Sequence, residues 1–186
     1  AHITPQVFMH QMLHHLKQEG VVFLPGKEIT GIHDHGHTGA EVSTADGDIL
    51  RARHIVVAAG SWSGKLLKKR GYRLPMQDGK GYSMTLERPS LKPSIPSILH
   101  EARVAITPMG DDLRISGTLE ISGMDDQINP HKVNSILKAV PEYYPGMKIR
   151  DAGAVWFGYR PCTPDGMPYI GPLQSGSAVI MATGHA

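Results

Sequence analysis

The sequence predicts an α+β fold, derived from an α/β arrangement, on three observations. Helical and strand-like patterns alternate over the first 70 residues, as they do in α/β domains. Between residues 82 and 119, strand-like segments follow one another without a helix, which predicts an antiparallel sheet. A last apolar run at residues 178–181 is typical of a buried strand.

The first element is a helix that Thr4 can cap, with Pro5 at its favoured first position. Its apolar residues recur at helical spacing, and Gly20 ends the pattern. These apolar residues are Val7, Met9, Met12, Leu13 and Leu16. Residues 21–24 are apolar without interruption, which predicts a buried strand.

Short antiparallel strands joined by Gly-rich turns come next. They are predicted at residues 29–33, 40–43 and 49–51. Asp46-Gly47 between the last two is a hairpin signal. The apolar run at residues 54–58 predicts a strand buried on both faces. It ends at Gly60, and Ser61 can then cap a helix over residues 62–69.

The pattern changes after Gly71. Strands of one antiparallel sheet are predicted at residues 82–86, 98–101, 102–108 and 113–119. Asn129 and Pro130 can open a helix over residues 133–140. A further strand is predicted at residues 152–159, before a loop rich in turn-forming residues.

Composition excludes several classes of protein. The 186 residues carry a net charge of +2 and no basic stripe, which argues against nucleic-acid binding. The one cysteine, Cys162, excludes an internal disulfide framework and favours a reducing compartment. No apolar run is long enough for a transmembrane helix, and no signal peptide is visible. Because the chain starts without Met and stops just after an apolar strand, we expect it to be a fragment of a longer protein.

The stretch 156–171, W-F-G-Y-R-P-C-T-P-D-G-M-P-Y-I-G, contains the most unusual residue of the chain. Arg160 stands between Gly-Tyr and Pro, at the end of an aromatic strand-like run. An arginine can bind a carboxylate through two parallel hydrogen bonds. The residues alone leave two interpretations open: Arg160 binds an anion, or it pairs with a structural acid such as Asp165.

A set of motifs, taken in order, resembles one family. These are R-A-R-H-I-V-V-A-A-G-S-W-S-G at 51–64, G-K-G-Y-S-M-T at 79–85, the Arg160 loop, and M-A-T-G-H at 181–185. They are similar to the D-amino acid oxidase/dehydrogenase superfamily of FAD enzymes, especially its bacterial D-amino acid dehydrogenase and glycine oxidase branch. The resemblance implies oxidation of a small amino acid or amine-bearing carboxylate, with hydride transfer to flavin.

One family motif does not occur in this sequence. The G-x-G-x-x-G turn that holds the FAD pyrophosphate has no counterpart, because the glycines at 31, 36 and 39 have the wrong spacing. We therefore expect an incomplete FAD-binding domain at 1–71, a substrate-binding domain with an antiparallel sheet and a helix at 72–155, and a return to the FAD-binding domain at 156–186. FAD is expected in the full-length protein and not in this fragment by itself.

The resemblance also implies two substrate residues. Arg160 matches the arginine that binds the substrate carboxylate over the flavin, since the protein's main task is to hold the reacting carbon in place. Tyr82, in Gly81-Tyr82-Ser83, lies where a hydroxyl could join Arg160 on the carboxylate. The alternative for Tyr82 is a half-buried tyrosine of the sheet.

Cofactor contacts are implied at two turns and at several single positions. Ala58, Ala59 and Gly60 match a turn that passes close to FAD, although strand-to-helix packing requires the same small residues. Gly184 and His185 match a turn that faces the flavin. The same motifs contain two further candidates, Trp62 and Gly158. The resemblance also implies that Glu28 aligns with a position whose backbone contacts the adenine of FAD. For Glu28, an exposed loop acid is the alternative.

The histidines do not predict a metal site. His33, His35 and His37 alternate within a Gly-rich turn, and no acid or cysteine completes a ligand set around them. We interpret them as a solvated loop, and we interpret Cys162 as a small loop residue without a catalytic base.

Other functions remain open beside amino acid oxidation. The same arginine suits a sarcosine-type or 2-hydroxy acid FAD oxidoreductase, and a binding module without redox activity is a further alternative. The expected partner is a small amino acid or amine, with no nucleic acid and no membrane span. The expected location is the cytoplasm, or the inner face of the membrane as a peripheral protein.

Overall fold

A computed structural model describes residues 3–149 and 153–185. Its elements, in chain order, are α1 (Pro5–Gln18), β1 (Ile29–Asp34), a short 3₁₀ helix (Gly36–Thr38), β2 (Ala40–Thr44), β3 (Ile49–Ala52), β4 (Ile55–Val57), α2 (Trp62–Lys68), β5 (Gln77–Leu86), β6 (Ser97–Leu99), β7 (Val104–Met109), β8 (Asp112–Glu120), α3 (Pro130–Tyr143), β9 (Trp156–Cys162), β10 (Tyr169–Pro172) and β11 (Val179–Thr183). Mixed helices and antiparallel strands confirm the predicted α+β class.

The chain forms two compact units. The first unit comprises residues 1–23, 80–120 and 124–158, and the second comprises 24–79, 121–123 and 159–186. The domain boundaries predicted from the sequence, at 71/72 and 155/156, stay predictions, and so do the roles assigned to the predicted domains.

The first unit is built on a five-stranded sheet of order β6-β7-β8-β5-β9. β5 and β7 both pair antiparallel with β8. Inward residues of this sheet, such as Met84 and Ile115, form one core with Val133, Ile136 and Val140 of α3. Asn129 caps α3, since its side chain accepts a hydrogen bond from the amide of His131 at 3.1 Å.

The second unit contains two three-stranded sheets, of order β1-β2-β3 and β10-β11-β4. The first sheet is antiparallel, as predicted. In the second, β11 runs parallel to β4 and antiparallel to β10. Val57, Leu67 and Val179 are among the buried residues that unite these strands with α2.

Several sequence predictions need correction. Residues 21–24 form no strand, and their side chains are exposed, because an apolar run pairs only where a neighbouring strand offers hydrogen bonds. α1 has the predicted bounds but buries none of its described residues. β9 begins at Trp156 and includes Arg160, so this arginine lies within a strand; Ala152, the predicted start, is outside the described residues.

Two further strand predictions were incomplete. The sequence predicts a loop where β10 forms, because these four residues contain a glycine and a proline. β4 is an edge strand, and Val56 is 59% exposed, so it is not buried on both faces as its apolar run suggested.

Candidate functional site

The two predicted cofactor turns meet in the second unit. β4 and β11 are parallel neighbours, with Val57 opposite Met181. Their carboxyl ends therefore lie at the same edge, where ligands bind in open α/β sheets. The turn at Ala58–Gly60 leaves this edge from β4, and Gly184 leaves it from β11.

Hydrogen bonds hold these turns together. The hydroxyl of Thr183 donates to the carbonyl of Gly60 at 3.0 Å. The hydroxyl of Ser63 donates in turn to Thr183 Oγ1 at 3.1 Å. We call this contact region, formed by residues 60–63 and 183–184 with Thr163, the turn junction. It joins the turn after β4 to the residue that precedes Gly184.

Gly184 has a steric reason to be a glycine. Its φ is +85°, a left-handed conformation that disfavours residues with a Cβ. A Cβ at this position would lie 2.7 Å from Cγ2 of Thr163. The turn after β11 and the loop after β9 are therefore in van der Waals contact at the junction.

A cavity of about 530 Å³ in the second unit brings together four of the predicted cofactor residues. Glu28, Ala58, Ala59 and Trp62 all line it. Most of its other lining is aliphatic and comes from β1, β2, β4 and α2. The volume lies in the range of roughly 300–1,000 Å³ that small-molecule sites occupy. The carbonyl of Glu28 accepts a hydrogen bond from the amide of Ala45 at 2.8 Å, which holds this end of the cavity to the turn between β2 and β3.

Arg160 is exposed on the part of β9 that belongs to the second unit. Among the residues that the structure describes, it has no ion-pair partner. Asp165, the structural acid considered above, instead accepts a hydrogen bond from the amide of Met167 at 3.0 Å. The neighbouring Tyr159 packs edge-on against the ring of Trp62, with centroids 6.1 Å apart. Because Trp62 lines the cavity, this contact places the Arg160 segment beside it.

Tyr82 is in a different situation. It is 1% exposed, and its hydroxyl donates to Glu120 Oε2 at 2.6 Å while accepting from the amide of Asn129 at 3.2 Å. Burial raises the pKa of Tyr82, and the bond to Glu120 raises it further, so the hydroxyl stays protonated. With both partners inside the first unit, the geometry favours the alternative of a structural tyrosine.

Gly158 lies on the part of β9 that belongs to the first unit. A Cβ there would lie 2.4 Å from Cη2 of Trp156, so the indole ring occupies the space of a side chain. The guanidinium of Arg114 lies 5.6 Å from the centre of the same ring, a cation–π distance. Glycine at 158 is therefore explained by Trp156, and its predicted contact with the cofactor stays a prediction.

The histidines do not assemble into a ligand set. His33 contacts Arg70, and Nε2 of His35 lies 3.6 Å from Oε1 of Glu41. Within residues 3–149 and 153–185, no group of three His, Cys, Asp or Glu side chains could hold a metal ion. His185, at the end of the described chain, is exposed.

Two polar residues of the turn junction were not singled out in the sequence. Ser61 and Thr163 are buried, with 6% and 9% of their surfaces exposed. Neither hydroxyl has a hydrogen-bond partner in the described part of the chain. No local pattern identifies them, because the burial of Thr163 depends on Gly184, which is distant in sequence.

Comparisons with known proteins identify the family of this chain. The model of the family "FAD dependent oxidoreductase" matches residues 1–186. A D-amino acid dehydrogenase of Methylobacterium radiotolerans is 35% identical over 168 residues, which are 89% of this chain and 40% of that protein. The chain belongs to the FAD dependent oxidoreductase family, which confirms the resemblance found in its motifs.

Solved structures show the same fold. Glycine oxidase from Geobacillus kaustophilus superposes with a TM-score of 0.73 at 24% identity, over 86% of this chain and 42% of that one. L-proline dehydrogenase from P. horikoshii also gives 0.73, at 18% identity, over 91% and 46%. The chain thus spans less than half the length of these relatives. In the part of the chain described here, no helix has the length and apolar character needed to cross a membrane.

Proposed function

We propose that the whole protein oxidises a small amino acid or amine-bearing carboxylate, with FAD as the electron acceptor. Arg160 is the observation that carries this proposal. It is an exposed guanidinium without an ion-pair partner among the described residues, one position from the Tyr159–Trp62 contact at the cavity wall. Such a group suits an anionic substrate held beside a cofactor.

The residues of the second unit fit FAD. Alanine and glycine at 58–60 leave space for a ligand to approach the backbone. Trp62 and Glu28 line the same cavity, and Gly184 and His185 follow the adjacent parallel strand. When bound, FAD supplies a two-electron acceptor for hydride.

Arg160 acts by positioning. Two parallel hydrogen bonds from its guanidinium to the substrate carboxylate fix the carbon that bears the amine. When that carbon loses hydride, the lone pair of a neutral amine forms the double bond to nitrogen, and the product is an iminium ion. An ammonium substrate would first have to release one proton to solvent, whereas an amine that enters neutral requires no dedicated base. The same arginine could bind the carboxylate of a 2-hydroxy acid, so an assay must distinguish amino acids from 2-hydroxy acids as substrates.

We further propose a cytoplasmic location for the protein. The single cysteine supports this proposal, because disulfide frameworks are typical of oxidising compartments.

Arg160→Met in the full-length protein tests this role. A charge-assisted hydrogen bond contributes about 1.5–3 kcal/mol, and 1.4 kcal/mol is about tenfold in affinity. We therefore expect KM for amino acids to rise by about 10- to 150-fold. The measurement is flavin bleaching without oxygen, over a panel of amino acids, N-methyl amino acids and 2-hydroxy acids.

Arg51→Met is the matched control. Arg51 is an exposed arginine whose Nε donates to Glu41 at 2.7 Å on the sheet of β1–β3, away from any proposed substrate contact. Its KM values should equal those of the wild type. An unchanged KM in Arg160→Met would remove Arg160 from substrate binding, and bleaching by none of the panel would refute the proposed function itself.

A further inference from the structure

The contact between Tyr159 and Trp62 joins the strand that carries Arg160 to the wall of the 530 Å³ cavity. The two ring planes meet at 83°, with centroids 6.1 Å apart, an edge-to-face geometry that aromatic pairs prefer. Trp62 is the first residue of α2, and its amide donates to the carbonyl of Ala59 at 3.0 Å. The indole is thus attached to the turn after β4, and Tyr159 is attached to the indole.

This contact restrains Arg160 from its N-terminal side. Tyr159 and Arg160 are consecutive residues of β9, and consecutive side chains of a strand lie on opposite faces. A ring that is held at Tyr159 therefore determines the direction in which the side chain of Arg160 leaves the backbone.

Pro161 restrains Arg160 from its C-terminal side. A proline has a fixed φ and confines the residue before it to extended conformations, which agrees with the position of Arg160 in a strand. The side chain of Arg160 is exposed and long, so restraint of the backbone at its root is what directs it. An arginine that is restrained in this way before the ligand arrives loses less freedom on binding.

We propose that Tyr159, through its contact with Trp62, is a positioning residue that directs Arg160 toward the substrate carboxylate. This inference rests on the proposed function, since it takes Arg160 as the group that binds the carboxylate. Tyr159 is not among the residues that line the described cavity, so it acts through Arg160 and contacts neither substrate nor cofactor. Trp62 lines the cavity and also supports Tyr159.

Substitutions at Tyr159 test this role in the full-length protein. KM for amino acids, measured by flavin bleaching without oxygen, should rise by about 2- to 12-fold in Tyr159→Leu, the equivalent of one aromatic pair. Tyr159→Phe keeps the ring and should have nearly the wild-type KM. Titration with FAD, followed by quenching of flavin fluorescence, should give the wild-type affinity for both variants.

Double variants show whether the effect passes through Arg160. Tyr159→Leu should raise KM no further when Arg160→Met is already present, because the group that Tyr159 directs is gone. Trp62→Leu combined with Tyr159→Leu should raise KM about as much as Trp62→Leu alone, since either substitution removes the same ring contact. Residues that act independently would instead give additive free energies, and their factors in KM would multiply.

Tyr72→Leu is the matched control for a general loss of packing. Tyr72 is a half-buried tyrosine of the second unit that packs against the same core as α2. Its substitution should lower the Tm and leave KM at the wild-type value, so that the control separates positioning of Arg160 from reduced stability.

Each adverse outcome has a distinct meaning. A wild-type KM in Tyr159→Leu overturns the inference and leaves the proposed function intact. An equal rise in KM with and without Arg160 also overturns it, because Tyr159 would then contact the substrate itself. An equal rise in Tyr72→Leu overturns it as well, since the effect would then belong to the fold. Wild-type protein whose flavin is bleached by no substrate refutes the proposed function, and this inference with it.

Discussion

Lys80 carries a charged group into the interior of the first unit, and its replacement by methionine tests how that unit is held together. The residue is 1% exposed. Its Nζ donates to the carbonyls of Asp125 and Gln127 at 2.8 and 2.7 Å, and it lies 3.4 Å from the Asp125 carboxylate. Lys80 therefore ties β5 to the segment that leads into α3.

The expected loss follows from these contacts. Lys80→Met leaves two carbonyls without a donor, at about 1–3 kcal/mol for each one that stays buried. Water can reach part of this segment, because Gln127 is exposed and the Asp125 side chain is 45% accessible. For the two carbonyls together, we therefore expect a total near the lower limit: a decrease of about 2–3 kcal/mol in the free energy of unfolding. For a unit of about 100 residues, that corresponds to roughly 8–24 °C in Tm.

The assay combines two measurements on the full-length protein. Thermal unfolding gives the Tm, and hydrogen exchange with mass spectrometry follows peptides that cover residues 121–129. Exchange should accelerate in that segment in particular, because the amide of Asn129 is held there by Tyr82. Lys138→Met, an exposed lysine of α3, is the control and should change the free energy of unfolding by less than about 0.5 kcal/mol. Equal Tm and equal exchange in Lys80→Met and Lys138→Met would refute the reasoning.

Two further predictions concern Asp34 and Gly158. Burial raises the pKa of Asp34, but hydrogen bonds from Ser177, Ala178 and a turn amide outweigh it and hold that pKa below 3.8. The stabilisation is therefore present above about pH 4 and lost as the pH falls. Asp34→Asn should be less stable at pH 7, by urea unfolding, and the difference from wild type should shrink between about pH 4 and 2; a constant difference would contradict this. Gly158→Ala should displace the Trp156 ring, and because this ring is 59% exposed and can turn toward solvent, the cost should stay below about 1 kcal/mol; unchanged tryptophan emission would count against it.

Elements with strong local signals were predicted well. α1 and α3 have apolar periodicity and a proline in the first turn. α1 has the expected bounds, whereas α3 opens at Pro130 as expected and extends to Tyr143, beyond the predicted end at residue 140. The hairpin at Asp46-Gly47 joins β2 and β3 as expected. These features depend on residues a few positions apart, so the sequence contains their causes.

Elements whose formation depends on distant neighbours were predicted less well. Residues 21–24 look like a strand but stay exposed, because pairing depends on a partner that is not a property of the run itself. β9 extends through Arg160 to Cys162, since its length is decided by the strand beside it. Composition at a single segment cannot specify either outcome.

By itself, the sequence determined the family, the α+β class, and the turns near residues 58–60 and 184 as candidates for contact with a cofactor. Only the tertiary structure decided what individual hydroxyl groups do. Tyr82 proved to be bonded to Glu120, 38 positions away, while Thr163 is buried against Gly184 and left without a partner among the described residues. The physical reason is that motifs depend on local residue types, whereas burial and hydrogen bonding depend on which distant segments the fold brings into contact.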